Sequence, residues 1–280
     1  MKNFNFPLRL FLIEAFLFSL TLGLGIASAF KINEILKIQK ISLPQISPSE
    51  FIFNFLLATL FILFIFKFIK FKIGRGLIFK ILFILATFFG GEIFLSVFVG
   101  DIFALFLMAI LIFGWLKKPS VLNQDLLIIF GIAGVGNTLG LSLNPEIAIF
   151  LLAIFSIYDF IAVYKTKHMV EMAKEMIESK AILAMIVPPN ILGFKTNLVE
   201  VQPGGEFLIL GGGDIAFSLI FCSSLVPLGI LKVLIVAISS LIGLFVGFYF
   251  FTSQKIRKPI PALPPIAFFS IFGYLITKVL

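Results

Sequence analysis

Residues 147–164, IAIFLLAIFSIYDFIAVY, and residues 208–228, LILGGGDIAFSLIFCSSLVPL, decide how this chain is read. Each is apolar over about the 20 residues that a helix needs to cross a bilayer, and each carries a single carboxylate, Asp159 or Asp214. An acidic group at membrane depth is costly and calls for a partner or a function.

The depths of the two carboxylates match. The first stretch ends near Lys165, so Asp159 lies six residues, or ~9 Å at 1.5 Å per residue, inside that end. The second begins near Gly211, which puts Asp214 about one turn into it from the same side. Two consecutive antiparallel helices would bring both to one level near one face of the membrane, facing each other if the helices touch.

The rest of the chain is of the same kind. Of its 280 residues 60% are hydrophobic and 13% charged, with 38 phenylalanines and a mean hydropathy of +1.17. A soluble domain is nearer half apolar and a quarter charged. Apolar stretches fall at 8–30, 51–71, 77–99, 102–116, 126–143, 147–164, 208–228, 231–251 and 262–279, which predicts an all-α integral membrane protein of nine transmembrane helices. Residues 1–280 then form a single membrane domain, with 1–143 as scaffold, 147–279 carrying the unusual residues and 165–207 as the longest joint. Lys2 and Arg9 at the start of the first stretch, with Ala27-Ser28-Ala29 near its end, resemble a cleaved leader, but the run is long and holds Glu14, so a retained span is expected.

With the N-terminus inside, 17 of the 22 Lys and Arg residues fall on the inner side, which predicts an N-in, C-out topology and a cytoplasmic 165–207 loop. Clustering of basic residues between apolar runs accounts for the net charge of +8 without nucleic acid as a partner; the lipid bilayer takes that place. In the loop, Met169, Met172, Met176 and Ile177 alternate with Glu171, Lys174 and Glu178 at helical spacing, so 167–186 is expected as an amphipathic surface helix ending at Pro188-Pro189-Asn190. Pro203-Gly204-Gly205 makes a turn, and 206–210 is expected as a short strand.

A facing pair of carboxylates has its own chemistry. Both cannot comfortably ionise at short range in a low dielectric, so they share a proton; one can take a proton from water while the other donates to a peptide carbonyl. Gly211-Gly212-Gly213 before Asp214 disfavours a regular helix interior and permits an open backbone that another chain can approach. An extended substrate segment could add to the strand edge that ends at Leu210. Pro261-Ala262-Leu263, followed by Pro264-Pro265, is a second break at the same face, tolerated at that depth where it lines a cavity or is buried.

Other acidic residues read more plainly. Asp101, Asp125 and Glu146 are expected at wet joints, while Glu14 and Glu92 lie deeper and remain weaker candidates. Gly131, Gly134, Gly136, Gly140 and the Gly243/Gly247 pair suit close helix packing. The single His168 leaves no HExxH zinc site, and no Ser–His arrangement is evident; no metal or cofactor is expected. Cys222, alone, can form no internal disulfide. An ion- or proton-coupled carrier also combines membrane carboxylates with broken helices and is the rival reading.

Tyr158-Asp159, Gly211-Gly212-Gly213-Asp214 and Pro261-Ala262-Leu263 resemble the YD, GxGD and PAL motifs of the presenilin/signal peptide peptidase family, in order and host span. YDFIAVYKTKHMVEMAKE, 158–175, is similar to the presenilin branch, whose orientation is also N-in. The resemblance covers 147–270 best. It implies a nine-helix bundle in a cell membrane that cleaves transmembrane segments of membrane-protein substrates. It makes Asp159 and Asp214 the catalytic dyad, with Tyr158, Leu210, Gly211, Gly212, Gly213, Pro261, Ala262 and Leu263 shaping the site. Gly212 departs from the larger apolar residue usual there. Presenilins work with partner subunits; these residues specify neither accessory subunits nor a homo-oligomer.

Overall fold

The structure, a computed structural model, describes the chain except residues 1–6, 42, 45–46, 48, 55, 58–59, 61–71, 167–173, 175, 179, 181, 203–204, 255–257 and 280. Most of the 51–71 stretch, His168 and the start of the amphipathic segment therefore lie outside the described residues. Helix α1 spans Leu8–Gln39; α2 is described over 49–54; α3 spans Lys72–Val99, α4 Asp101–Lys117, α5 Val121–Leu141 and α6 Pro145–Tyr164. Strands β1, Ala184–Val187, and β2, Leu208–Gly211, follow, then α7, Gly212–Ser224, α8, Ile230–Thr252, and α9, Leu263–Val279. Five of these helices are long and apolar enough to cross a membrane, and α7 with its 3-10 extension to Leu228, and α9, are shorter apolar helices.

Several boundaries follow from local chemistry. Helix α1 runs past the apolar stretch at 8–30 because KINEILKIQ keeps good helix formers going. It closes where Lys40 turns left-handed at φ 55° and the Ile41 N–H returns to Leu36 O at 3.0 Å. Gly100, at φ 84°, separates α3 from α4, a conformation that a side chain would strain. Before α2, Ser47 and Glu50 cap each other: the Ser47 N–H donates to Glu50 Oε2 at 2.9 Å and the Glu50 N–H donates to Ser47 Oγ at 3.2 Å. Helix α5 starts five residues earlier than the apolar run suggests, because Ser120 Oγ accepts the Asn123 N–H at 3.3 Å and caps it.

Helix α5 is the centre of the molecule. Its apolar window is 67% buried against 28–39% in the other four long helices, and it packs on α1, α3, α4, α7 and β1. The glycines permit this. A Cβ on Gly131 would lie 3.1 Å from Thr87 Cα of α3, and one on Gly140 would lie 2.5 Å from Ile220 O of α7. Asn137 Nδ2 donates to Ser28 Oγ at 2.6 Å, which satisfies a buried amide across α5 and α1. Helices α8 and α9 form a second pair, joined to the rest through α6, α7 and α1.

The loop between α6 and α7 corrects one expectation. The helix expected over 167–186 does not reach its end: residues 176–178 are helical, but Ala184–Val187 is strand β1, paired antiparallel with β2 from Ala184↔Gly211 to Val187↔Leu208. The expected short strand is present, shifted from 206–210 to 208–211. All four β1 residues are buried, so a partner strand and the bundle override the helical spacing.

Candidate active site

Helix α6 buries Ala148, Leu151, Leu152, Phe155, Asp159 and Ala162, spaced three and four apart on one face. Asp159 is therefore an inward position, 6% exposed. Asp214 sits in the first turn of α7, half-buried. The ring pair Phe155–Phe217 fixes their relation: the centroids are 4.4 Å apart at 26°. Phe155 is one turn before Asp159 and Phe217 nearly one turn after Asp214. Beyond the stack Phe221 meets Tyr274, whose hydroxyl donates to Glu146 Oε1 at 3.5 Å, so α7 runs toward the start of α6; the two helices are antiparallel and both carboxylates lie at one level on the same side of the stack. Asp159 and Asp214 lie within electrostatic range of each other.

Each carboxylate is oriented by a backbone donor. The Leu263 N–H donates to Asp159 Oδ2 at 3.3 Å. Pro264 and Pro265 fit the first turn of α9, where N–H groups lack helical partners anyway, and they leave Leu263 as the donor at that helix end. A carboxylate at a helix N-terminus also meets the positive end of the helix dipole. Gly211 lies beneath Asp214: its N–H is directed at the carboxylate, and a Cβ there would lie 2.8 Å from Asp214 Oδ2. Gly212 and Gly213 begin α7 rather than an open coil. A helix start tolerates glycine because its backbone donors are unpaired there.

The strand pair points toward the same place. The Gly212 N–H donates to Leu183 O at 3.3 Å, and the Ile186 N–H turns away from β2 to Asp125 Oδ1 at 2.8 Å. In an antiparallel ladder this alternation makes Ile186↔Ile209 and Ala184↔Gly211 non-hydrogen-bonded pairs. The N–H and C=O of Ile209 and Gly211 thus face the outer edge of β2, the side on which Gly211 meets Asp214.

The remaining expected residues are placed as follows. Leu210 and Leu263 are buried, at 4% and 3% exposure; Pro261 is buried and Ala262 half-buried. Gly213 is exposed. Tyr158 is 48% exposed, at the flank of the buried face of α6. A cleft of about 520 Å³ opens beside Pro261 and Pro265, walled by Phe160, Tyr164, Gly247 and Phe269; neither Asp159 nor Asp214 lines it. Among the described residues no three His, Cys or carboxylate side chains converge as metal ligands.

One acidic residue, Asp125, stands differently from its expected place, while Glu14 lies as deep as expected. Asp125 is not at a wet joint but 1% exposed, because α5 already includes it. Glu14 is 4% exposed, its Oε2 has no hydrogen-bond partner among the described residues, and it lies within electrostatic range of Asp214. The unbroken α1 pattern around Glu14 shows its depth in the sequence but not its neighbour.

A multi-pass helical membrane protein with two helix-borne carboxylates held at one level, each met by a backbone N–H, has the parts of an acid–base site. The sequence model of the signal-peptide peptidase/presenilin aspartyl protease family matches residues 13–280, and the chain belongs to this family of intramembrane aspartyl proteases. Its fold is similar to that of a presenilin family intramembrane aspartate protease solved in space group C222, with TM-score 0.65, 22% identity, and 96% of this chain and 98% of that chain covered. The structure of a presenilin family intramembrane aspartate protease in space group P2 gives TM-score 0.57, 24% identity, and 94% and 96% coverage. No curated protein matches the chain.

Proposed function

We propose that the protein hydrolyses peptide bonds within transmembrane helices of membrane-protein substrates, with Asp159 and Asp214 as its catalytic pair. The observation that carries this is the level placement of the two carboxylates by the Phe155–Phe217 stack. One carboxylate, ionised, takes a proton from a water whose oxygen attacks the peptide carbonyl carbon. The other, protonated, donates to the carbonyl oxygen. A hydroxyl of the tetrahedral intermediate then returns its proton to the carboxylate left ionised by the first step, while the other, which had taken the proton of water, donates it to the nitrogen; the C–N bond breaks, and acid and amine leave. No covalent enzyme intermediate forms.

A substrate helix must unwind to reach this pair. The outward N–H and C=O of Ile209 support strand addition at β2, which would lay an unwound segment beside Asp214. Gly211, Gly212 and Gly213 keep that approach free of side chains, and Pro261, Ala262 and Leu263 hold Asp159 from the other side. Tyr158, next to Asp159 and 48% exposed, would act toward the substrate. The nine apolar stretches support nine spans in one membrane domain, proposed for the cell membrane, and the charge distribution supports an N-in, C-out orientation with the dyad near the cytoplasmic face.

The test is the purified chain in liposomes with a single-span peptide substrate, read by product mass. Two fragments whose junction lies within the span are expected. Intact substrate across a panel, together with proton-coupled uptake by the same vesicles, would replace the protease reading with the carrier.

A further inference from the structure

Strand β1 has one edge paired with β2, and among the described residues its other edge meets side chains of α5 rather than a third strand. Gln124 and Asp125, 0% and 1% exposed in the first turns of α5, supply that closure. Asp125 Oδ1 accepts the Ile186 N–H at 2.8 Å, and Gln124 Nε2 donates to Ile182 O. Gln124 is itself held by Trp115 Nε1, which donates to its Oε1 at 2.9 Å. The chain beyond β1 returns to the same joint: the Val121 N–H donates to Thr196 O at 3.0 Å and the Leu198 N–H to Pro119 O at 2.8 Å. The start of α5 therefore fixes both β1 and the loop that leads from it.

This arrangement has two physical consequences. An edge packed on α5 cannot accept a foreign strand, which leaves the outer edge of β2, where no third strand pairs among the described residues. And β1 cannot slide along β2 without breaking the Asp125 and Gln124 bonds. A slip of one residue would invert every side chain, whereas a slip of two preserves the faces and is the slip that anchors must prevent. Because β1 is tied to α5 while β2 runs directly into Asp214, the register of the pair sets where β2, and any strand added to it, stands relative to the helix bundle that carries Asp159.

We infer that Asp125, assisted by Gln124, is a positioning residue that locks the β1–β2 register and thereby selects which substrate bond is cut. The selection of the bond rests on the protease reading above; the lock itself does not. Two readouts on the full chain separate them. In hydrogen exchange with mass readout, Asp125→Ala is expected to speed exchange across 184–187 at least about tenfold, the loss of one buried hydrogen bond to a carboxylate. In cleavage of the single-span substrate, the same variant is expected to add products displaced by two residues from the main cut. Asp125→Asn, whose side-chain oxygen still accepts from Ile186, restores the single cut. Gln124→Met, similar in size but without the bonds to Ile182 and Trp115, gives the same outcome as Asp125→Ala and serves if that variant does not fold.

Unchanged exchange at 184–187 in the variants that fold would overturn the lock, whether or not the protein cleaves. Faster exchange with product ratios identical to wild type, only less of each, would overturn the selection of the bond. A wild type that cuts nothing would remove the protease reading and the selection with it, while exchange still decides the lock.

Discussion

Replacing either Asp159 or Asp214 by alanine is expected to reduce intramembrane cleavage by roughly 10³-fold or more while leaving the fold intact. Each half of the chemistry needs both groups: a base to take the proton of water and an acid to supply the carbonyl oxygen. Loss of either leaves one carboxylate that cannot do both in a single step. The structural cost runs the other way. Two carboxylates held at membrane depth are unfavourable neighbours, so removing one relieves repulsion and desolvation. Thermal unfolding in detergent is therefore expected at or slightly above the wild-type midpoint for both variants. A variant that loses activity because it no longer folds would show the opposite shift.

The second large effect is expected at Gly243, far from the carboxylates in sequence. A Cβ there would lie 2.5 Å from Ile266 Cα and 2.6 Å from Pro265 O, backbone atoms of α9 that cannot rotate aside. Gly243→Val must push the start of α9 outward, at about 1–3 kcal/mol of overpacking. The displaced segment includes Leu263, whose N–H orients Asp159 at 3.3 Å. Misplacement by about 1 Å can cost about 10²-fold in rate, so activity should fall further than stability alone would take it. Gly114→Ala is the matched control, since a Cβ there meets nothing within 4 Å. It should leave both the unfolding midpoint and the cleavage rate at wild-type values.

The legible and illegible parts of this protein divide along physical lines. Asp159 and Asp214 stand out in the sequence because each is a lone carboxylate in an apolar run, and their common level follows from counting residues to the run's end. The break between α3 and α4 is marked only by Gly100-Asp101 between two apolar stretches, the second of them short for a span. Strand β1 is not visible. Ala184–Val187 continues a helix-spaced pattern, and what makes it a strand is β2, more than twenty residues on, together with two side chains of α5. Asp125 is hidden for a related reason: hydropathy begins the span at 126, whereas the helix begins at the Ser120 cap behind two lysines and a proline. The extension of α1 to Gln39 escapes a membrane-length argument because a helix in water obeys propensity and capping rather than apolar length. Local chemistry in the sequence thus marks the reacting groups, and long-range backbone pairing, which it does not mark, supplies the parts that position them.

The central claim is that Asp159 and Asp214 act as one unit, and non-additivity tests it most directly. Cleavage rates of the single-span substrate would be measured for wild type, Asp159→Asn, Asp214→Asn and the double variant, each in liposomes. If the two form one dyad, either single substitution removes nearly all that the pair contributes, and the double variant is no slower than the singles. If the losses instead multiply, or if either single variant retains a substantial fraction of wild-type cleavage, the carboxylates act separately and the dyad assignment is wrong.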